Sequence, residues 1–131
     1  MEDSMQDRGR ELVTPMLLEK VSEAFNSNEI DSVMECFAPD AIFDHATGSE
    51  AYGTRFRGHE ALREVFRGLF KSVQSVSWET VDERICGDKA YCEYIRRATY
   101  PNGEHQEFLS IDILTFKAGL ITHKNTYYKH R

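Results

Sequence analysis

The apolar positions in the first half of the chain recur at helical spacing. Leu17, Val21, Ala24 and Phe25 fall on one stripe, which predicts an amphipathic helix over about Pro15–Ser27. Thr14 is placed to cap it, and Pro15 suits its first turn. Ile30, Val33, Met34 and Phe37 predict a second, short helix that Ala38-Pro39-Asp40 should end. Leu62, Val65, Phe66, Leu69 and Phe70 predict a third, from about His59 to Ser72. Between the second and third, Ala41–Ala46 reads as a strand. Phe43 and His45 share one of its faces, Ile42 and Asp44 the other. Thr47–Gly58 reads as a glycine-bearing loop with room for a short strand at Thr54–Arg57.

Beyond Val76 the period changes to two. Val76–Cys86, Lys89–Tyr100, Glu104–Phe116 and Leu120–Tyr128 read as four long strands. Turns at Cys86-Gly87-Asp88, Pro101-Asn102-Gly103 and Lys117-Ala118-Gly119 join them into an antiparallel meander. A change of apolar parity between Trp78 and Val81 predicts a bulge. Helices gathered ahead of strands give the class α+β. A strongly curved sheet wrapped around helices leaves a hollow at its open end, the natural place for a ligand.

Composition narrows the partners. The 131 residues fit one domain. Residues 1–11, polar and of mixed charge, read as a mobile tail ahead of a single domain over 12–131. The net charge is −6, with 16 basic residues against 22 acidic, which disfavours nucleic acid and anionic membrane surfaces. No apolar run is long enough to span a membrane, and the N-terminus lacks the apolar segment of a signal peptide. Cys36, Cys86 and Cys92 are odd in number and outside CxxC spacing, so they read as reduced thiols of a cytoplasmic protein.

Most catalytic motifs are excluded by spacing. Gly48, Gly53 and Gly58 stand five apart, but Thr54 and His59 occupy the positions where a phosphate-binding loop needs lysine. His59-Glu60-Ala61-Leu62-Arg63 begins as HExxH and ends in arginine, so no metal is expected there. Two residues stand out against their surroundings. His45 shares a face with Phe43 and should point inward with it, unless a one-residue slip brings Asp44 there instead. Asp112 lies in the nearly apolar run Phe108–Phe116, where a carboxylate costs several kcal/mol unless it is paired, hydrogen-bonded or protonated. It either bonds a neighbour and fixes structure or belongs to a site. Arg97 is either an ion-paired strand residue or a pocket cation.

Several segments together resemble the SnoaL-like and ketosteroid-isomerase-like branch of the nuclear transport factor two-like superfamily. They are Ala24-Phe25-Asn26, Cys36-Phe37-Ala38-Pro39-Asp40-Ala41, Gly48-Ser49-Glu50, Arg57-Gly58-His59-Glu60-Ala61-Leu62-Arg63-Glu64, and Asp112-Ile113-Leu114-Thr115-Phe116. The resemblance runs over about residues 15–128. It implies a cone-shaped, curved, mostly antiparallel sheet wrapped around three helices, a cystatin-like α+β barrel with an apolar pocket, and a homodimer. It also implies a small apolar molecule as partner and cofactor-free acid–base chemistry of isomerase, cyclase, dehydratase or hydrolase type. A non-catalytic carrier or adaptor is the other use the family makes of this fold. On this resemblance His45 falls at the position of the isomerases' base and Asp112 at that of their oxyanion-binding acid. Val21 falls where they carry an oxyanion tyrosine, a departure that removes one donor and speaks against steroid isomerisation. His45 is then expected to take a proton, with Asp112 orienting it or donating to an oxyanion. Val21, Phe66 and Tyr128 would line the pocket, with Arg97 as an anchor.

Overall fold

In the computed structural model, which describes residues 12–129, Thr14 opens the first helix. Its Oγ1 accepts the N–H of Leu17 at 3.2 Å, and Pro15 occupies the first turn of α1, Pro15–Ser27. Asn28, in the left-handed conformation, closes it. The short α2, Ile30–Met34, leads directly into β1, Phe37–Glu50. The strand therefore starts earlier than the sequence pattern suggests, and Pro39 lies inside it. The pairing of β1 with its parallel neighbour is irregular between Phe37 and Ile42, so the proline falls where the ladder is already broken. β1 runs on to Glu50 where a loop is expected after Ala46; a turn at Ala51-Tyr52 follows, and the short strand expected at Thr54–Arg57 is β2, Gly53–Arg57. Gly53 has φ +82°, and a Cβ there would collide with the carbonyl oxygen of His45, so only glycine closes this hairpin without a shift. The tail reading of residues 1–11 lies outside the described residues.

Helix α3, His59–Ser72, carries Leu62 and Phe66 into the interior. His59 at its start donates through Nε2 toward the carbonyl oxygens of Met34 (3.0 Å) and Phe37 (3.2 Å), fastening α3 to the α2–β1 corner. The four-strand meander follows: β3 Ser75–Cys86, β4 Lys89–Thr99, β5 His105–Lys117 and β6 Leu120–Tyr128. The bulge expected in β3 is present, as a register shift between Thr80 and Asp82. A single six-stranded sheet in the order β2-β1-β6-β5-β4-β3 results, antiparallel except for the β1–β6 pair. It is curved and unclosed, with β2 and β3 as its edges.

The helices pack on the concave face. Phe66 lies 5.0–5.5 Å, ring centre to ring centre, from Phe25, Phe37 and Phe43. Val33, Met34, Leu62 and Ile121 fill the narrow end with almost no exposure. The wide end, between α1, α3 and strands β3–β6, stays open. Among the described residues no helix is long and apolar enough to cross a membrane.

Candidate functional site

The open end encloses a cavity of about 540 Å³, within the range of small-molecule sites. Strand register decides what enters it. Rows of inward side chains run across the sheet: Cys92–Asp112–Thr126, then Tyr94–Ser110–Tyr128. A third row runs Ala90–Leu114–Lys124 and continues through the parallel pair to Phe43. His45 follows Phe43 on the same face, with ring centres 5.8 Å apart, and lies 6.1 Å from the ring of Tyr128. His45, Asp112, Val21, Phe66 and Tyr128 all line this one cavity.

Arg97 does not, and the anchor role expected of it is corrected. The inward positions of β4 are even-numbered, so Arg97 points to the outer face. There it makes exposed ion pairs with Glu79 (2.7 Å) and Glu107 (2.6 Å). Its neighbour Arg96 is the arginine that lines the cavity, with its guanidinium 5.3 Å from the centre of the Phe108 ring.

Asp44 occupies the opposite face of β1 from His45 and is fully buried. Arg55 grips both its oxygens (2.7 and 2.9 Å), and His123 bonds one of them at 2.7 Å. The Arg55 guanidinium holds the Asp44 carboxyl below the usual carboxylate range, with His123 adding to the effect against the cost of burial.

Asp112 meets Lys124, a residue the sequence reading passed over. Lys124 Nζ donates to Asp112 Oδ1 at 3.1 Å and to Thr126 Oγ1 at 2.8 Å, while Thr126 donates onward to the same Oδ1 at 2.6 Å. All three are buried, and the ammonium also lies 4.8 Å from the centre of the Phe43 ring. Asp112 Oδ1 thus accepts both bonds, one of them from the Lys124 ammonium. No hydrogen bond joins it to His45. Nearby, burial and the Asp112 charge push the Tyr94 phenol well above its ordinary pKa, and burial pushes the Cys92 thiol up to about 12. Neither is a nucleophile at neutral pH.

The His45 ring has a defined polarity. The backbone N–H of Thr47 points at Nδ1 (3.3 Å), and an N–H only donates, so Nδ1 is the acceptor. In the neutral ring the proton then sits on Nε2. His45 offers the cavity a donor, in place of the proton acceptor expected from the sequence. Burial and, next, the charge of Lys124 lower its pKa, which keeps the ring neutral at pH 7.

That shift has a consequence for stability. Above an unfolded value of about 6.5 the ring is neutral in both states and contributes nothing. As pH falls below it the unfolded chain takes up the proton first, so stability declines until the folded pKa is passed. Urea unfolding at about pH 7.5 and 5.5 is expected to show this loss in the wild type and a smaller one in His45→Gln. Equal losses would exclude His45 as the source. The Asp44 contribution is separate: it is present above about pH 3.9 and disappears below that.

Comparison with known proteins agrees with this fold. A family model described as a SnoaL-like domain matches residues 18–124. No curated protein matches the chain. Solved structures share the fold. A protein of ketosteroid isomerase-like fold from Catenulispora acidiphila DSM 44928, in complex with trimethylamine, is 16% identical. It has a TM-score of 0.76 and covers 89% of this chain and 88% of its own. TerC, co-crystallised with polyporic acid, is also 16% identical, with a TM-score of 0.76 over 87% of this chain and 89% of its own. A protein from Xanthomonas campestris pv. campestris proposed as a polyketide cyclase is 21% identical, with a TM-score of 0.72 over 94% and 93%.

Proposed function

Since the chain belongs to the SnoaL-like domain family, we propose that its cavity binds a small, largely apolar carbonyl or hydroxylated molecule and performs cofactor-free acid–base chemistry on it. The observation that carries this reading is the placing of His45 and Asp112, two groups of opposite hydrogen-bonding polarity, on the wall of one apolar cavity. The Asp112 carboxylate takes a proton from carbon beside the substrate carbonyl and returns it. The Nε2–H of His45 donates to the enolate oxygen that forms meanwhile, which stabilises the charge without a full proton transfer. The ligands of the structural relatives, polyporic acid above all, support a pocket of this kind.

The test is exchange of α-protons of cyclic ketones in heavy water, followed by NMR. Wild type is expected to accelerate exchange. Asp112→Asn is expected to lose about 100-fold or more of it, and His45→Gln about 100–1,000-fold. Acceleration that survives both substitutions would overturn the assignment. Val21 favours a second reading. It places an apolar side chain at the cavity wall where the related isomerases have a donor, which suits a carrier. Ligand binding with no exchange in any ketone would decide for that carrier.

A homodimer is the assembly this reading takes. On the outer sheet face Leu109 and Tyr127 are exposed, and Ile111 and Ile113 are half-buried beside them. Light scattering at the mass of one chain would contradict it.

A further inference from the structure

Burying a lysine is costly, and a buried ion pair is often no more stabilising than apolar residues of the same size. The Lys124–Asp112 pair lies inside a cavity whose other walls are largely aromatic and aliphatic, including Phe25, Phe43, Phe66 and Trp78. Its presence there asks for a use besides packing. Among the described residues Lys124 spends two of its three N–H donors, on Asp112 and Thr126. The third remains for a ligand, on a side chain that lines the cavity and is 7% exposed.

The charges around the cavity are not evenly spread. Lys124 and the Nε2–H of His45 stand on the adjoining strands β6 and β1, and Arg96 faces the cavity from β4. Of the two carboxylates that line it, Asp112 is committed to Lys124 and Thr126. The other, Glu83, belongs to edge strand β3, three strands away from β6, on the order of 14 Å along the sheet. The β1–β6 side of the cavity is therefore donor-rich, and Glu83 stands apart from it on β3. The lowered pKa of His45, caused in part by Lys124 and Arg96, is the same field felt by a neighbouring group.

We propose that Lys124 is the anchor for an anionic oxygen, so that the pocket prefers a flat apolar ring carrying a carboxylate or ionised hydroxyl over its neutral counterpart. This rests on the small-molecule reading above and names the ligand class for it. The ring fills the aromatic part of the cavity. The anionic oxygen accepts the third N–H of Lys124 in a charge-assisted hydrogen bond, with the His45 donor nearby. Asp112 has two effects on such a ligand: it fixes the ammonium in place and partly cancels its charge.

The experiment is calorimetry at about pH 6 with 2-naphthoate and its neutral amide, 2-naphthamide. Wild type is expected to bind the carboxylate about tenfold or more tightly than the amide. Lys124→Met should erase that preference and leave amide binding within about twofold. Asp112→Asn, which keeps an acceptor for Lys124 but removes the opposing charge, should tighten the carboxylate and not the amide. A purely structural pair would weaken both ligands in both variants. Equal binding of the two probes by wild type, or a preference that survives Lys124→Met, overturns the proposal while amide binding still upholds the pocket. Binding of neither probe overturns both. Should Lys124→Met fail to fold, the wild-type ratio and Asp112→Asn decide the matter.

Discussion

Replacing Asp112 by alanine is expected to cost about 3–5 kcal/mol of folding stability, and replacing Lys124 as well is expected to restore most of it. The single change removes the acceptor of both the Lys124 and the Thr126 hydrogen bonds. Lys124 is then a buried ammonium whose remaining oxygen partner is one hydroxyl. Among the described residues the other carboxylate lining the cavity is Glu83, on edge strand β3. The double change Asp112→Leu with Lys124→Met removes both charges and fills their volume, so neither desolvation penalty remains. Urea unfolding of the wild type, Asp112→Leu, Lys124→Met and the double variant gives the coupling directly. Additive losses would mean that the two side chains do not hold one another. The contrast is Arg97, whose two ion pairs are exposed to solvent; Arg97→Ala is expected to change stability little. A pair that is dispensable for stability once both members are gone, yet destructive when halved, is what a ligand site kept for its chemistry would show.

Much of this architecture is legible in the sequence because it is set locally. Thr14-Pro15 writes the start of α1, and the turn residues between the last four strands write the meander. His45 is placed inward by parity with Phe43, and the structure keeps that parity. Parity fails elsewhere for identifiable reasons. Arg97 is expected in the pocket from the family's pocket positions, but its parity on β4 sets it on the outer face, opposite Glu107 in the register and within reach of Glu79. Lys124 is hidden by an irregularity. Counting back from Tyr128 in twos reaches Thr126 and Lys124, but counting forward from buried Ile121 reaches His123. The two counts disagree because the register shifts at Thr122, where Phe116 pairs with Ile121 and Thr115 with His123. The burial of Asp44 could not be read locally at all. Its partners come from β2 and β6, brought together only when β1 pairs with both.

Phe66→Ala is the second large effect, again about 3–5 kcal/mol, and it should change the site as well as the fold. Phe66 is 2% exposed and is the ring on which Phe25, Phe37 and Phe43 converge. Its loss removes the apolar area of one large side chain and three aromatic contacts at once. Collapse cannot recover much. Phe37 and Phe43 are fixed to β1 by its ladders with β2 and β6, and Phe25 is fixed to α1. The space therefore stays open, and because Phe66 lies between the core and the cavity, it joins the cavity. Denaturant unfolding should show the loss of stability, and Phe66→Leu should show a smaller one. Under conditions where Phe66→Ala is still folded, the enlarged pocket should gain affinity for ligands with a longer apolar body. Its preference for an anionic oxygen should persist, because Lys124, Thr126 and Asp112 hold one another on β5 and β6 without help from α3. Loss of that preference on removing Phe66 would instead mean that α3 positions the ammonium, and that the charged end and the apolar end of the cavity are a single coupled unit.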